Sequence, residues 1–149
     1  MVRIIRPLKS SDRPEWEKLW KGYQAYYEVD LSADEDQLFA RLMAPEKDGP
    51  FCLVLEETTG SEAKLLGLTQ YIYHQSTFSN AARCYLHDLF TIPEARGERV
   101  GEALIGAVGE AAKAHGAGQV YWLTQDFNHT ARKLYDRVGK LSPFIKYTL

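Results

Sequence analysis

The sequence predicts an α/β chain, with helices layered on a mixed sheet. Two observations carry that class. Three strand-like apolar runs follow one another in the middle of the chain, and strands alternate with helices from there to the C-terminus. Ahead of them, two stretches with helical apolar spacing each carry helix-start signals. No repeat, linker or low-complexity segment interrupts the 149 residues, so one domain over 1–149 with one core is expected.

Val2 to Ile5 reads as a short strand. Ser11 or Asp12 opens the first helix, with Pro14 and Glu15 in its first turn; Asp12 and Glu15 have capping-box spacing. Trp16, Leu19, Trp20, Tyr23 and Tyr27 form its aromatic-rich face. Ser32 and Glu35 repeat the capping signal for a second helix, whose apolar side is Leu38, Phe39 and Leu42 and which Pro45 ends. Phe51 to Leu55, Leu65 to Tyr73 and Cys84 to Thr91 are the central strands, the first two joined by a rather long hairpin connection. A third helix runs from about Arg99 to His115 and stops at Gly116 and Gly118. Gln119 to Leu123 is a fifth strand, Asn128 to Val138 a last helix, and Phe144 to Leu149 a final strand.

Composition excludes more than it assigns. A formal charge of -2 provides no general attraction to a nucleic-acid backbone or an anionic membrane, so neither is an expected direct partner. Cys52 and Cys84 sit in strand-like runs and read as buried free thiols, and no metal-ligand spacing is present. The N-terminal run has no apolar stretch of signal-peptide or membrane-span length, and a cytoplasmic location is the expectation.

The segment with most chemical content is Arg96-Gly97-Glu98-Arg99-Val100-Gly101, between a strand and a helix. Glycines permit a tight turn and close approach of a ligand to the backbone. Amides at a helix start suit pyrophosphate, and Arg96 and Arg99 add positive charge. By itself the segment reads equally well as a surface turn with a capping glycine. It is neither a dinucleotide fingerprint nor a P-loop, because GxGxxG and GK[ST] are absent.

With these residues in view, the chain resembles the GCN5-related N-acetyltransferase (GNAT) superfamily. Tyr85 to Thr91 resembles its fourth strand, and Arg96 to Gly101 resembles its loop Q/R-x-x-G-x-G/A, with Arg99 replacing the central glycine. Asn128, Ala131 and Tyr135 match N-x-x-A-x-x-x-Y on the helix after strand five. The resemblance covers essentially the whole chain. It is closest in appearance to small yeast-type histone and polyamine acetyltransferases and their bacterial relatives, through WEKLWKGYQAYYEVDL and VYWLTQDFNHTARKLY. It implies a twisted, mostly antiparallel mixed sheet flanked by helices, and acetyl-CoA as cofactor. It also implies transfer of acetyl to a primary amine by direct attack in a ternary complex.

On that resemblance the cofactor is held by Leu89, Phe90 and Thr91, by the loop Arg96, Gly97, Glu98, Arg99, Val100 and Gly101, and by Asn128, Ala131 and Tyr135. Tyr135 would protonate the leaving thiolate; a phenol near pKa 10 is a plausible donor. Periodicity alone makes Tyr135 a core tyrosine. Asn128 reads both as a pantetheine ligand and as a helix N-cap. His87 titrates near neutrality and is a candidate base, with Asp88 the runner-up; alternation sets the two on opposite faces of their strand. His87 reads equally as a packing residue, and His129 as a solvated loop histidine.

Glu28, Asp30, Asp34, Glu35 and Asp36 crowd one junction without a compensating base. The resemblance puts that junction over the acceptor groove, where negative charge would attract an ammonium group. Glu28 and Asp30, with Tyr23, Tyr26, Tyr27 and His87, are the expected acceptor-binding residues. Helix capping and solubility explain the same charges. The expected acceptor is a small cationic amine, such as a polyamine, or a basic protein tail; a protein lysine or free amino acid is the alternative. A non-catalytic CoA-binding regulatory domain is a third reading. A homodimer is expected from family resemblance, through the apolar C-terminal segment KLSPFIKYTL.

Overall fold

A computed structural model describes residues 1–149. Its frame is one five-stranded sheet in the order β1-β2-β3-β4-β5, formed by Val2–Pro7, Phe51–Thr59, Glu62–His74, Arg83–Thr91 and Gln119–Tyr121. The first four strands pair antiparallel; β5 pairs parallel to β4. The parallel step requires a crossover, which is the helix α3, Val100–His115. The helices α1, Arg13–Tyr27, and α2, Glu35–Met43, lie between β1 and β2 in sequence, and α4, His129–Val138, follows β5. No helix is long and apolar enough to cross a membrane.

Each face of the sheet has its own core. Trp16, Leu19 and Trp20 of α1, with Phe39 and Leu42 of α2, pack on Val54, Leu68 and Phe90. Val108 and Ala112 of α3 pack with Tyr71, Tyr73, Cys84 and Leu86. The start of α3, Val100 and Leu104, closes over Leu55 and Leu66. Gly67 is obligatory here: a Cβ would sit 2.7 Å from the Phe90 carbonyl oxygen and 2.9 Å from Val100 Cγ1. Both cysteines are buried and free.

Three local expectations are corrected. The β2–β3 connection is a tight turn at Gly60-Ser61, because both strands continue through residues assigned to a loop. Neither capping box forms as expected. Asp12 precedes α1 without capping it, and instead accepts from the Lys9 N–H (2.8 Å) and both terminal nitrogens of Arg6 (2.7 and 2.9 Å). Glu15 reaches across to accept from the Leu65 N–H at 2.9 Å, and Glu35 pairs with Arg13 at 3.3 Å. Buried partners, or partners distant in sequence, outcompete the local cap. Finally, Phe144–Leu149 is not a strand: its residues are exposed and unpaired, and the β5 edge beside which a sixth strand would lie is only Gln119–Tyr121.

Candidate active site

The site exists because β4 and β5 part. They pair only from Arg83↔Gln119 to Tyr85↔Tyr121; beyond Tyr85, β4 continues to Thr91 without a neighbour on that side. Its outward backbone groups are therefore free in a wedge between β4 and α4. A bulge marks the parting. Tyr71 faces Leu86 and Gln70 faces Asp88, which leaves His87 as the extra residue. Before the bulge Leu86 packs toward α3; beyond it Phe90 packs toward α1. Strict alternation is thus broken where the expectation for His87 and Asp88 relied on it. The two side chains are not kept apart: His87 Nδ1 lies 3.1 Å from Asp88 Oδ1.

Two cavities occupy the wedge. A cleft of about 580 Å³ runs along the start of α3, and a pocket of about 290 Å³ opens between α1, β4 and the segment after β5. Tyr27, Leu89 and Tyr135 line both, so the two meet at these residues.

The larger cleft gathers most of the expected cofactor residues. Leu89, Phe90 and Thr91 form one wall, Arg96, Gly97, Arg99, Val100 and Gly101 the floor, and Asn128, Ala131 and Tyr135 the other wall. Ala103 N–H is the first amide closed onto α3, donating to Arg99 C=O at 3.1 Å. The amides of Val100, Gly101 and Glu102 therefore lack intrahelical partners and suit an anion. Arg99 takes φ 65°, the left-handed region that favours glycine, and Gly97 has φ 82°. The loop has kept the glycine-type backbone with an arginine at the position. Gly101 is needed for space: a Cβ there would lie 3.2 Å from Leu134 Cδ2, narrowing the gap between α3 and α4.

Glu98 is an exception. Its side chain does not line the cleft but holds Arg3 Nη2 at 2.6 Å, tying the loop to β1. Tyr26, Glu102 and Arg137 are among the cleft residues not anticipated from the sequence for this role. Tyr26, expected on the acceptor side, lies under the Arg96 guanidinium at 5.6 Å and donates to Asn128 Oδ1 at 3.1 Å. Arg137 of α4 and Arg99 both hold Glu102, at 3.0 and 3.1 Å. For Glu102 the available signal was its i,i+3 spacing from Arg99.

Asn128 takes its N-cap reading and keeps an amide donor free. Its Oδ1 caps α4 by accepting from Ala131 N–H at 3.2 Å, while its Nδ2 is buried without a partner. An orphan amide donor in the cleft wall costs free energy until something accepts from it. Together with the free α3 amides, the left-handed backbone at Gly97 and Arg99 and the flanking arginines, it fits the carbonyls and pyrophosphate of acetyl-CoA.

The smaller pocket is walled by Tyr23, Tyr27, Tyr85, Trp122 and Tyr135, with His87 at its side. Burial first, then the charge of Asp88, pushes the Tyr23 phenol far up. Burial likewise raises Tyr27 and Tyr85 and takes Tyr135 up to about 12. The hydrogen bond to Asp88 raises His87 above its ordinary value, against burial and the nearby Lys146. Asp88 itself is buried behind the wall and lines neither cavity.

Glu28 and Asp30 are not brought to the site. Both are exposed and line neither cavity; Glu28 ends α1 at φ 56°, and Asp30 accepts from the Ser32 N–H and hydroxyl, which hold its carboxyl low. The first turn after a helix is where such residues serve chain reversal rather than a ligand. His129 also lies outside both cavities. Lys146, by contrast, lines the smaller pocket from the C-terminal segment, and it was hidden by the expectation of a strand there.

The family model described as the acetyltransferase (GNAT) family matches residues 15–139. This chain belongs to the GNAT family. It is accordingly an acetyltransferase that uses acetyl-CoA. It is 28% identical to the D-amino-acid N-acetyltransferase HPA3 of Saccharomyces cerevisiae, over 97% of this chain and 88% of that protein. It is 32% identical to the uncharacterized N-acetyltransferase YhfO of Bacillus subtilis, covering 97% and 95%. Among solved structures, a probable acetyltransferase superposes with a TM-score of 0.80 at 23% identity, covering 98% of this chain and 96% of that one. The last likeness speaks to the fold: the mixed, mostly antiparallel sheet flanked by helices is that of this family.

Proposed function

We infer that the acceptor is the amino group of a small molecule that also carries a carboxylate, with a free amino acid the leading class. One observation carries this reading. Apart from phenols, the ionisable groups lining the smaller pocket are His87 and Lys146, and no carboxylate lines it. The Lys146 ammonium there attracts a carboxylate and disfavours a polyamine. The relative HPA3 has a name consistent with this choice. The acidic junction at Glu28 and Asp30, which suggested a cationic amine, lies off the pocket; long-range attraction of a polyamine by it is the second reading.

Bound acetyl-CoA supplies an acetyl group activated as a thioester. Its phosphates would be held by Arg96, Arg99 and the free amides of α3, and its pantetheine arm by Asn128 Nδ2. The acceptor nitrogen attacks from the pocket side in a ternary complex. His87 takes the proton that nitrogen loses as the C–N bond forms. Amides of the β4 edge beyond Tyr85, which have no neighbouring strand, would stabilise charge on the carbonyl oxygen. Tyr135, where cleft and pocket meet, would donate its hydroxyl to the leaving thiolate.

The test is CoA release across D- and L-amino acids, spermidine and a lysine-rich peptide, with Lys146→Ala beside the native chain. Amino acids should be preferred, and the variant should raise their KM about tenfold while leaving spermidine unaffected. Preference for spermidine, undiminished in the variant, would overturn the acceptor assignment. The exposed Phe144, Ile145 and Tyr147 also support a homodimer that covers the C-terminal segment. A monomer by light scattering at all concentrations would refute it.

A further inference from the structure

Behind the acceptor pocket runs a line of buried polar groups that begins on α1 and ends at His87. Trp16 Nε1 donates to Gln70 Oε1 at 3.0 Å, Gln70 Nε2 donates to Asp88 Oδ2 at 2.8 Å, and Asp88 Oδ1 meets His87 Nδ1 at 3.1 Å. Trp16, Gln70 and Asp88 are 0%, 3% and 6% exposed. Such a network is costly to bury, and every member but the last is shielded from water.

The line has a direction. An indole N–H is a donor only, so it fixes the Gln70 amide with its oxygen toward Trp16. The Gln70 NH₂ must then face Asp88, which accepts on Oδ2. With that oxygen supplied, Oδ1 is left to accept from His87 Nδ1–H. The imidazole nitrogen remaining as acceptor is Nε2. Thr69 Oγ1 donates to the Asp88 carbonyl at 3.0 Å and pins the backbone beside the bulge. A second copy of this geometry could not arise on a regular strand, because only the extra residue at the bulge brings neighbouring side chains together.

We propose that Trp16, Gln70 and Asp88 are positioning residues that hold His87 in the Nδ1–H tautomer, so that Nε2 accepts the proton of the attacking amine. The proposal rests on the acetyltransferase reading of His87 given above. Asp88 does not touch the acceptor: both its oxygens are engaged and it lines neither cavity. It acts through His87. The groups facing the imidazole are Asp88 and Tyr85 on β4, Tyr23 and Tyr27 on α1, Tyr135 on α4, and Lys146 of the C-terminal segment. Asp88 favours the imidazolium, Lys146 opposes it, and the phenols stay neutral through the working range.

The experiment is heteronuclear NMR of His87 in ¹⁵N-histidine-labelled protein, with kcat/KM followed against pH. In the native chain above its pKa, His87 should show protonated Nδ1 and bare Nε2. Asp88→Asn offers an amide that can donate to Nδ1, so the tautomer should reverse, the His87 titration should move to lower pH, and kcat/KM should fall about 10- to 100-fold. Acetyl-CoA affinity should not change. Trp16→Phe keeps an aromatic ring but removes the donor, so it should mix the tautomers and move the titration part of the way. A native His87 protonated on Nε2 overturns the proposal without any variant, should either variant not fold. A titration unmoved in folded Asp88→Asn also overturns it. These readouts are independent of turnover: a correct tautomer in a chain that releases no CoA from acetyl-CoA with any amine would refute the enzymatic reading and leave the relay standing.

Discussion

Replacing Tyr135 by Phe separates two meanings of proton donor. The ring sits where cleft and pocket meet and packs edge-on against Trp122, centroids 5.6 Å apart, a contact that phenylalanine keeps. Burial takes the phenol up to about 12. An ordinary thiol loses its proton near 8.5. Complete transfer from Tyr135 to the departing sulfur is then uphill by about 3.5 pH units, or roughly 5 kcal/mol. A hydrogen bond that strengthens as charge grows on sulfur demands no such transfer. Bonds of that kind to charged groups are worth about 1.5–3 kcal/mol, which predicts a loss in kcat of about 10- to 160-fold. The assay is steady-state CoA release with a thiol-reactive chromophore, with calorimetric titration of acetyl-CoA alongside. Affinity should stay within about threefold, since the hydroxyl is needed only once charge develops. Unchanged kcat would remove the hydroxyl from the reaction. A loss beyond about 1,000-fold at undiminished affinity would require full transfer, and would refute the reasoning from burial.

Three further outcomes concern the scaffold that holds the site. Gly67→Ala forces a Cβ against backbone at 2.7 Å, which β3 and β4 cannot both yield to; urea unfolding should register a loss of about 1–3 kcal/mol, and an unshifted midpoint would contradict the packing. Asp12→Ala leaves Arg6 with Glu56 alone, at 2.8 Å, in a setting where Arg6 and Asp12 are 14% and 8% exposed, and should cost about 1.5–3 kcal/mol at neutral pH. Burial raises the Asp12 carboxyl, but Arg6 and the Lys9 N–H outweigh it and hold it below the usual range; its contribution is present above the unfolded value and disappears as pH falls through the folded one, so native and variant stabilities should converge in acid. Arg99→Gly relieves an L-residue at φ 65° and should raise stability by up to about 1 kcal/mol while weakening acetyl-CoA binding severalfold; tighter binding would deny the guanidinium its role.

The sequence disclosed the parts of the site whose signals are local. The turn before α3 was legible because glycines and a following helical period announce an anion-binding helix start, and Asn128, Ala131 and Tyr135 because they share one helix at fixed spacing. Pairs that depend on register were not legible. A period of two separates His87 from Asp88, and only the slip between Gln70 and Tyr71 brings them into contact. Asp12 and Glu15 were the right residues with the wrong partners. A carboxylate near a helix start is read as a cap, but Arg6 and the Leu65 amide are distant or laterally placed donors that no local spacing reveals. Lys146 reaches the pocket from a segment whose apolar alternation resembles a strand and which finds no edge to join.

The roles proposed for His87 and Tyr135 yield a pH profile of definite shape. His87 must be neutral to take a proton, and Asp88 raises the pH at which it becomes so, above about 6.5. Tyr135 must keep its proton, and does so up to about 12. Activity should therefore climb as pH rises through the His87 value and then level off, with no descent from Tyr135 below about pH 11. The acceptor contributes its own rise, since only a free amine attacks. Replacing His87 by Gln distinguishes the two: it should abolish the lower rise in kcat/KM and leave the one that moves with the acceptor's pKa. The same protonation has an opposite sign for stability. A histidine raised on folding stabilises the fold below its unfolded value and forfeits that as pH climbs through the folded one, so the chain should be slightly less stable where it is most active. A descending limb between about pH 8 and 10 that disappears in Tyr135→Phe would mean that the phenol titrates like an exposed one and that burial does not hold its proton.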